Sequence, residues 1–229
     1  MNDHVYSWNI PFLNIPLTNV VVMSWIAMAI IILWAYLATR KMQMVPKGLQ
    51  NTAELIVEAI SKFAHNIIGH DSKHFVSYLG TIALFLAIVN TVGALFMTEL
   101  THGIVSPATR NLGVTAALAI MTIVVATGAG FWKKGFVGFF KGLFKPLPIM
   151  FPFKILDLFI KPLSLCMRLY GNIFAAFILM EMIFTNEALR WGLPAIVCMY
   201  FDLFDGGLQA FVFVLLTALY ISEEVETEE

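Results

Sequence analysis

One residue of this chain is chemically out of place. Arg168 lies inside the apolar run PLSLCMRLYGNIFAAF, far from either end. A guanidinium at mid-membrane costs about 2.5–3.5 kcal/mol even on the gentlest insertion scale. It does not deprotonate in a protein, so it cannot hand protons on. Its chemistry is that of a fixed positive charge. The plain structural alternative is an internal ion pair with an acid of the same chain, but intramembrane arginines generally carry function.

Arg168 also belongs to a stripe. Asp157, Lys161, Ser164, Arg168 and Asn172 follow at intervals of 4, 3, 4 and 4, which places them on one helical face. Gly171 and Ala175 border that face and give a neighbouring helix room to approach. In the next apolar run Asp202, Asp205 and Gln209 are spaced 3 and 4, again one face. Glu181 is turned about 140° away from Arg168. Buried carboxyls have raised pKa values and exchange protons near neutral pH. The competing readings are a satisfied helix–helix hydrogen bond for Asp202 and a packing or kink site for Asp205 beside Gly206-Gly207. For Glu181 the competing reading is exposure at the outer interface. Sorted by depth, Asp157, Lys161 and Ser164 lie on the cytoplasmic side of Arg168. Glu181 and Asp202 lie on the outer side, with Gln209 at about the arginine's level. Two aqueous half-paths separated by a fixed charge is the simplest physical reading.

The elements that hold these residues must be membrane helices. The chain is 59% hydrophobic and 13% charged, with mean hydropathy +0.83. An ordinary soluble domain carries roughly 25% charged residues. A net charge of −1 gives no reason to expect a nucleic-acid partner. Cys166 and Cys198 sit in apolar segments and are expected to be small buried hydrophobes rather than a disulfide. The N-terminus has no basic region ahead of its apolar run, so the first span is expected to be retained.

The expected fold is an all-α membrane protein with five transmembrane helices and one amphipathic surface helix. Residues 1–16 form an external N-terminus. Spans follow at 17–38, 78–97 and 112–132, then a long helical hairpin at 149–222 and a cytoplasmic tail at 223–229. Basic residues cluster after the first and third spans, at Arg40, Lys41 and Lys47 and at Lys133, Lys134, Lys141 and Lys145. The positive-inside rule makes those loops cytoplasmic, the N-terminus external and the C-terminus internal. Between the first two spans, residues 48–67 place Leu49, Ala53, Ile56, Ile60, Phe63, Ala64 and Ile67 at helical spacing, with Gln50, Glu54, Glu58 and Lys62 on other faces. That segment should lie along the cytoplasmic surface or pack on the bundle. The hairpin helices exceed 30 residues, about 45–50 Å against a hydrocarbon core of about 30 Å, so they must tilt or bend.

Other motifs carry less. His70 and His74 are one turn apart, but Asp71 and Lys73 between them and no third ligand nearby favour surface polarity over a metal site. GAGFWKKG lacks the strand and the Lys-Ser/Thr ending of a nucleotide loop. No cofactor is expected, and the chain is not expected to be catalytic by itself.

KPLSLCMRLYGNIF followed by LQAFVFVLLTALYIS closely resembles subunit a of the membrane (Fo) sector of bacterial F-type ATP synthases. GLQNTAELIVEAI in the amphipathic segment and Asn90 in the second span add to the resemblance. It implies a multi-pass subunit of the bacterial cell (inner) membrane beside a rotating ring of c subunits, with the b-subunit peripheral stalk and the other synthase subunits as partners. It implies a proton or sodium ion entering by one half-channel and leaving by another. Arg168 would match the arginine that attracts the deionised ring carboxylate and blocks leak. Gln209, Asn172, Lys161 and Ser164 match the family's glutamine, asparagine, lysine and serine. The chain departs from the pattern at Phe177, where many members keep an acid. Glu181, one turn farther out, could replace it. Asp202 stands where some members have His, and Gly93 where some have an acid. A purely structural anchor of a respiratory complex is the alternative. A secondary transporter would often show two related halves, and no internal repeat is visible.

Overall fold

Apolar residues at alternating three- and four-residue steps decide which helix faces meet. The computed structural model describes residues 8–9, 16–17, 19–40, 42–95, 112–143, 151–185, 197, 200, 204 and 206–225. The described residues form six α-helices: α1 Asn19–Thr39, α2 Leu49–Ile68, α3 Val76–Leu95, α4 Leu112–Leu143, α5 Phe151–Thr185 and α6 Gly206–Val225. A 3₁₀ turn, Gly69–His74, joins α2 to α3. Trp8–Asn9 pairs antiparallel with Pro16–Leu17 ahead of α1. By length and composition, Leu112–Gly135 and Gly206–Val225 can each cross a bilayer. The segments Leu49–His74 and Val76–Thr91 pass that test jointly but are bent by 120°.

Helix α4 is the central post. Thr115, Ala119, Thr122, Ala126 and Ala129, spaced 4, 3, 4 and 3, are all at most 4% exposed. Small side chains at that period let neighbouring backbones come close, the main source of helix association where lipid removes the hydrophobic drive. Helix α5 packs along α4 through Leu165 and Cys166, and α6 packs on α4 and α3. The Thr115 hydroxyl meets the Cys166 thiol at 3.5 Å. Facing residues Leu79, Ile82 and Leu86 of α3 and Phe213, Val214, Ala218 and Ile221 of α6 complete the core. The Thr217 hydroxyl, buried in the same core, donates to the Phe213 carbonyl one turn back and so stays satisfied. Helix α1 rests on α3 through Ala27 and Val89.

Helix α2 turns its apolar side to α3 and α6, with Phe63 5.8 Å from the Phe211 ring, and its Glu58–Lys62 pair to solvent. Hydrogen bonding to Lys62 holds the exposed Glu58 carboxyl below its usual range. Helix α4 breaks at Gly135, where φ is +69°. That left-handed conformation suits glycine and redirects the chain just past Lys133 and Lys134.

Both ends of α6 are tied. At one end the Asn90 side-chain amide donates to the Gly206 carbonyl at 2.8 Å. At the other the Ser222 hydroxyl donates to the Ile67 carbonyl at 2.8 Å. A Cβ at Gly206 would stand 3.1 Å from the Asn90 Cβ, whereas one at Gly207 would meet nothing within 4 Å. Gly206→Val is therefore expected to destabilise the protein by about 1–3 kcal/mol through overpacking. Gly207→Ala should be neutral. Melting temperatures of the two variants in detergent measure the difference.

Candidate functional site

Helix α5 carries the charged stripe, and its packing decides where the stripe faces. Leu165 and Cys166 are buried against the bundle. Phe159, Leu163 and Met167 are exposed at 70%, 61% and 55%, and Arg168 is exposed among them. Asp157 and Ser164 are exposed on the same helix, and Lys161 is partly buried. Among the described residues Arg168 makes no ion pair, which removes the internal-pair alternative within that set. Pro162, inside α5, removes the hydrogen bond to the carbonyl four residues back, six residues before Arg168.

Lys161 bridges α5 to α6. Its ammonium donates to Glu223 Oε2 at 2.6 Å and stands 5.3 Å from the centre of the Tyr220 ring. Elsewhere α5 and α6 touch little. The pair joins the first half of α5 to the last turn of α6. Gln209 is 5% exposed, one turn from the Asn90–Gly206 contact, and does not share the open face of Arg168.

The same end of the bundle gathers further charge. Lys133 donates to Asp71 Oδ2 at 2.6 Å, tying α4 to the 3₁₀ turn, and the His74 ring meets Trp132 edge-on at 4.8 Å. Glu224 follows the apolar stretch of α6, which ends at Ser222. Lys161, Lys134, Lys154 and Glu223 are charges around it. The sequence reading holds Glu223 and Glu224 only as part of the tail at 223–229. Their spacing to Lys161 across a hairpin was the one signal that could have singled them out.

Glu181 is exposed near the far end of α5, and its carbonyl accepts from Thr185. Asn172 lies on α5 with its side chain outside the described set, as does that of Phe177. Asp202, Asp205 and Cys198 lie outside the described residues. His70 and His74 have no third ligand: among the described residues no cluster of His, Cys, Asp or Glu could hold a metal ion.

The family described as ATP synthase A chain matches residues 21–222. A relative from Propionigenium modestum, ATP synthase subunit a, sodium ion specific, is 34% identical over 222 residues, covering 93% of this chain and 76% of the relative. A match across nearly every helix from α1 to α6 places this chain in the ATP synthase A chain family.

Proposed function

We propose that this chain is the ion-translocating stator subunit of the synthase's membrane sector. Helices α1, α3, α4, α5 and α6 make five crossings, with the N-terminus outside and the C-terminus cytoplasmic. The observation that carries the reading is Arg168, exposed on an apolar face of α5 without an ion-pair partner among the described residues. A fixed charge on such a face needs an anionic partner from outside the chain. The partner of matching chemistry is a ring of c subunits, each presenting one carboxylate as it passes. The b-subunit stalk and the remaining synthase subunits complete the assembly.

The exposed apolar residues around Arg168 exclude water, which strengthens its attraction for a deionised ring carboxylate and closes a direct leak. Asp157, Lys161 and Ser164 line the cytoplasmic half-path. Glu181, Asp202, Asn172 and Gln209 serve the outer one. The coupling ion is a proton or a sodium ion, and the ionophore that collapses synthesis, proton- or sodium-specific, identifies which.

Arg168→Ala should leave the complex assembled and abolish ion-driven ATP synthesis in membrane vesicles. Normal coupled synthesis by that variant would sink the assignment. Glu181→Gln combined with Asp202→Asn should slow ion uptake from the outside severalfold, the scale of losing a positioned proton-transfer or ligand group. An unchanged rate in the double variant removes both residues from the outer path.

A further inference from the structure

Lys161 and Arg168 are seven residues apart on one face of α5, about 10 Å along the helix. Two cations there pose a problem that one does not. A bare ammonium in a cation path repels the ion that must pass. It also offers an anionic group of a passing partner a second place to rest. Helix α6 answers both. Glu223 Oε2 accepts from Lys161 at 2.6 Å, and Tyr220 places its ring 5.3 Å from the same ammonium. The Lys161 side chain is 19% exposed and that of Glu223 61%, so the lysine is recessed and the carboxylate faces water. Arg168 has no such counter-ion among the described residues. Further charges near this end, among the described residues, include Lys154 and Asp157 of α5, Lys133 and Lys134 of α4, Asp71 of the 3₁₀ turn and Glu224 of α6.

We infer that Glu223 is a positioning and charge-compensating residue. It neutralises Lys161 at the mouth of the cytoplasmic half-path, so that cations enter and Arg168 remains the uncompensated charge on the α5 face. This rests on the stator reading and adds to it a residue on the opposite helix. An exposed ion pair contributes little stability, so the role of Glu223 is to be sought in transport.

The test uses the whole complex in inverted vesicles, with ATP-driven ion uptake followed as the ion concentration on the cytoplasmic side is varied. Glu223→Gln should raise the half-saturating concentration about tenfold, or one pH unit if the ion is a proton, and largely keep the maximal rate. That is the scale of one uncompensated charge several ångströms from the path in a partly aqueous setting. Made on a Lys161→Gln background, the same Glu223→Gln change should leave half-saturation where Lys161→Gln alone sets it, because no unpaired ammonium remains. An unchanged half-saturation in Glu223→Gln overturns the inference, and so does an equal shift on the Lys161→Gln background. Should Glu223→Gln fail to assemble, Glu223→Asp carries the test. Wild-type half-saturation supports compensation by charge, and a tenfold shift overturns it. Arg168→Ala, assayed in parallel, separates the two levels. Coupled transport in that variant defeats the stator reading itself. Its inactivity beside a normal Glu223→Gln defeats only the role of Glu223.

Discussion

A guanidinium on an apolar helix face has to be stabilised by something, and the packing of α5 determines what that can be. Cys166, about 160° around the helix from Arg168, is buried beside Thr115 of α4. Because α5 commits that side to α4, the arginine side stays open. Helix α6 does not close over it: it packs on α3 and α4 and reaches α5 mainly at its last turns. An open face with a fixed charge and large apolar neighbours is costly alone and favourable once a helix bearing a carboxylate lies against it. The uneven packing of the two last helices and the charge are thus one design problem.

The remaining charges are handled differently. Lys133 pairs with Asp71, Lys161 with Glu223 and Lys62 with Glu58. Pairs with this much solvent contact generally hold a fold together weakly, and the interlocking of α3, α4 and α6 supplies the stability instead. What the pairs do is sort charge. Lysines of α4 and α5 meet acids of the 3₁₀ turn and of α6 at one end of the bundle. Among the described residues Arg168 is left without such a pair.

Helix identity was largely legible in the sequence because apolar spacing reports burial directly. The run Leu49 to Ile67 has the period of a helix with one apolar side, and α2 occupies Leu49–Ile68. Stripes such as Leu79, Ile82 and Leu86 carry the same information. Three features were not legible. Gly135 breaks α4, yet Gly128, Gly130 and Gly138 lie close by in the same helix, and composition does not say which one takes a positive φ. The contact of α5 with the last turn of α6 depends on a side-chain pairing, Lys161 with Glu223, which helical spacing does not report. The burial of Gln209 depends on how near α3 comes, which Asn90 and Gly206 settle. At the site, residue types and helical faces could be read, whereas their distances from one another could not.

The contrast between α5 and α6 bears on how a fixed charge is kept in place. A site of this kind works only if its supporting elements are rigid. Helix α6 has polar ties at both ends, to Asn90 and to Ile67, around a core of Phe213, Thr217 and Ile221. Helix α5 is seated by side-chain packing on the small-residue stripe of α4, with the Lys161–Glu223 pair linking it to α6. Apolar packing resists displacement in any direction without presenting polar atoms to the open face. A polar strut beside Arg168 would give the guanidinium a partner within the chain and remove the reason for an external carboxylate to approach. Placing the polar tie two turns away, at Lys161, steadies the helix while leaving the arginine uncompensated.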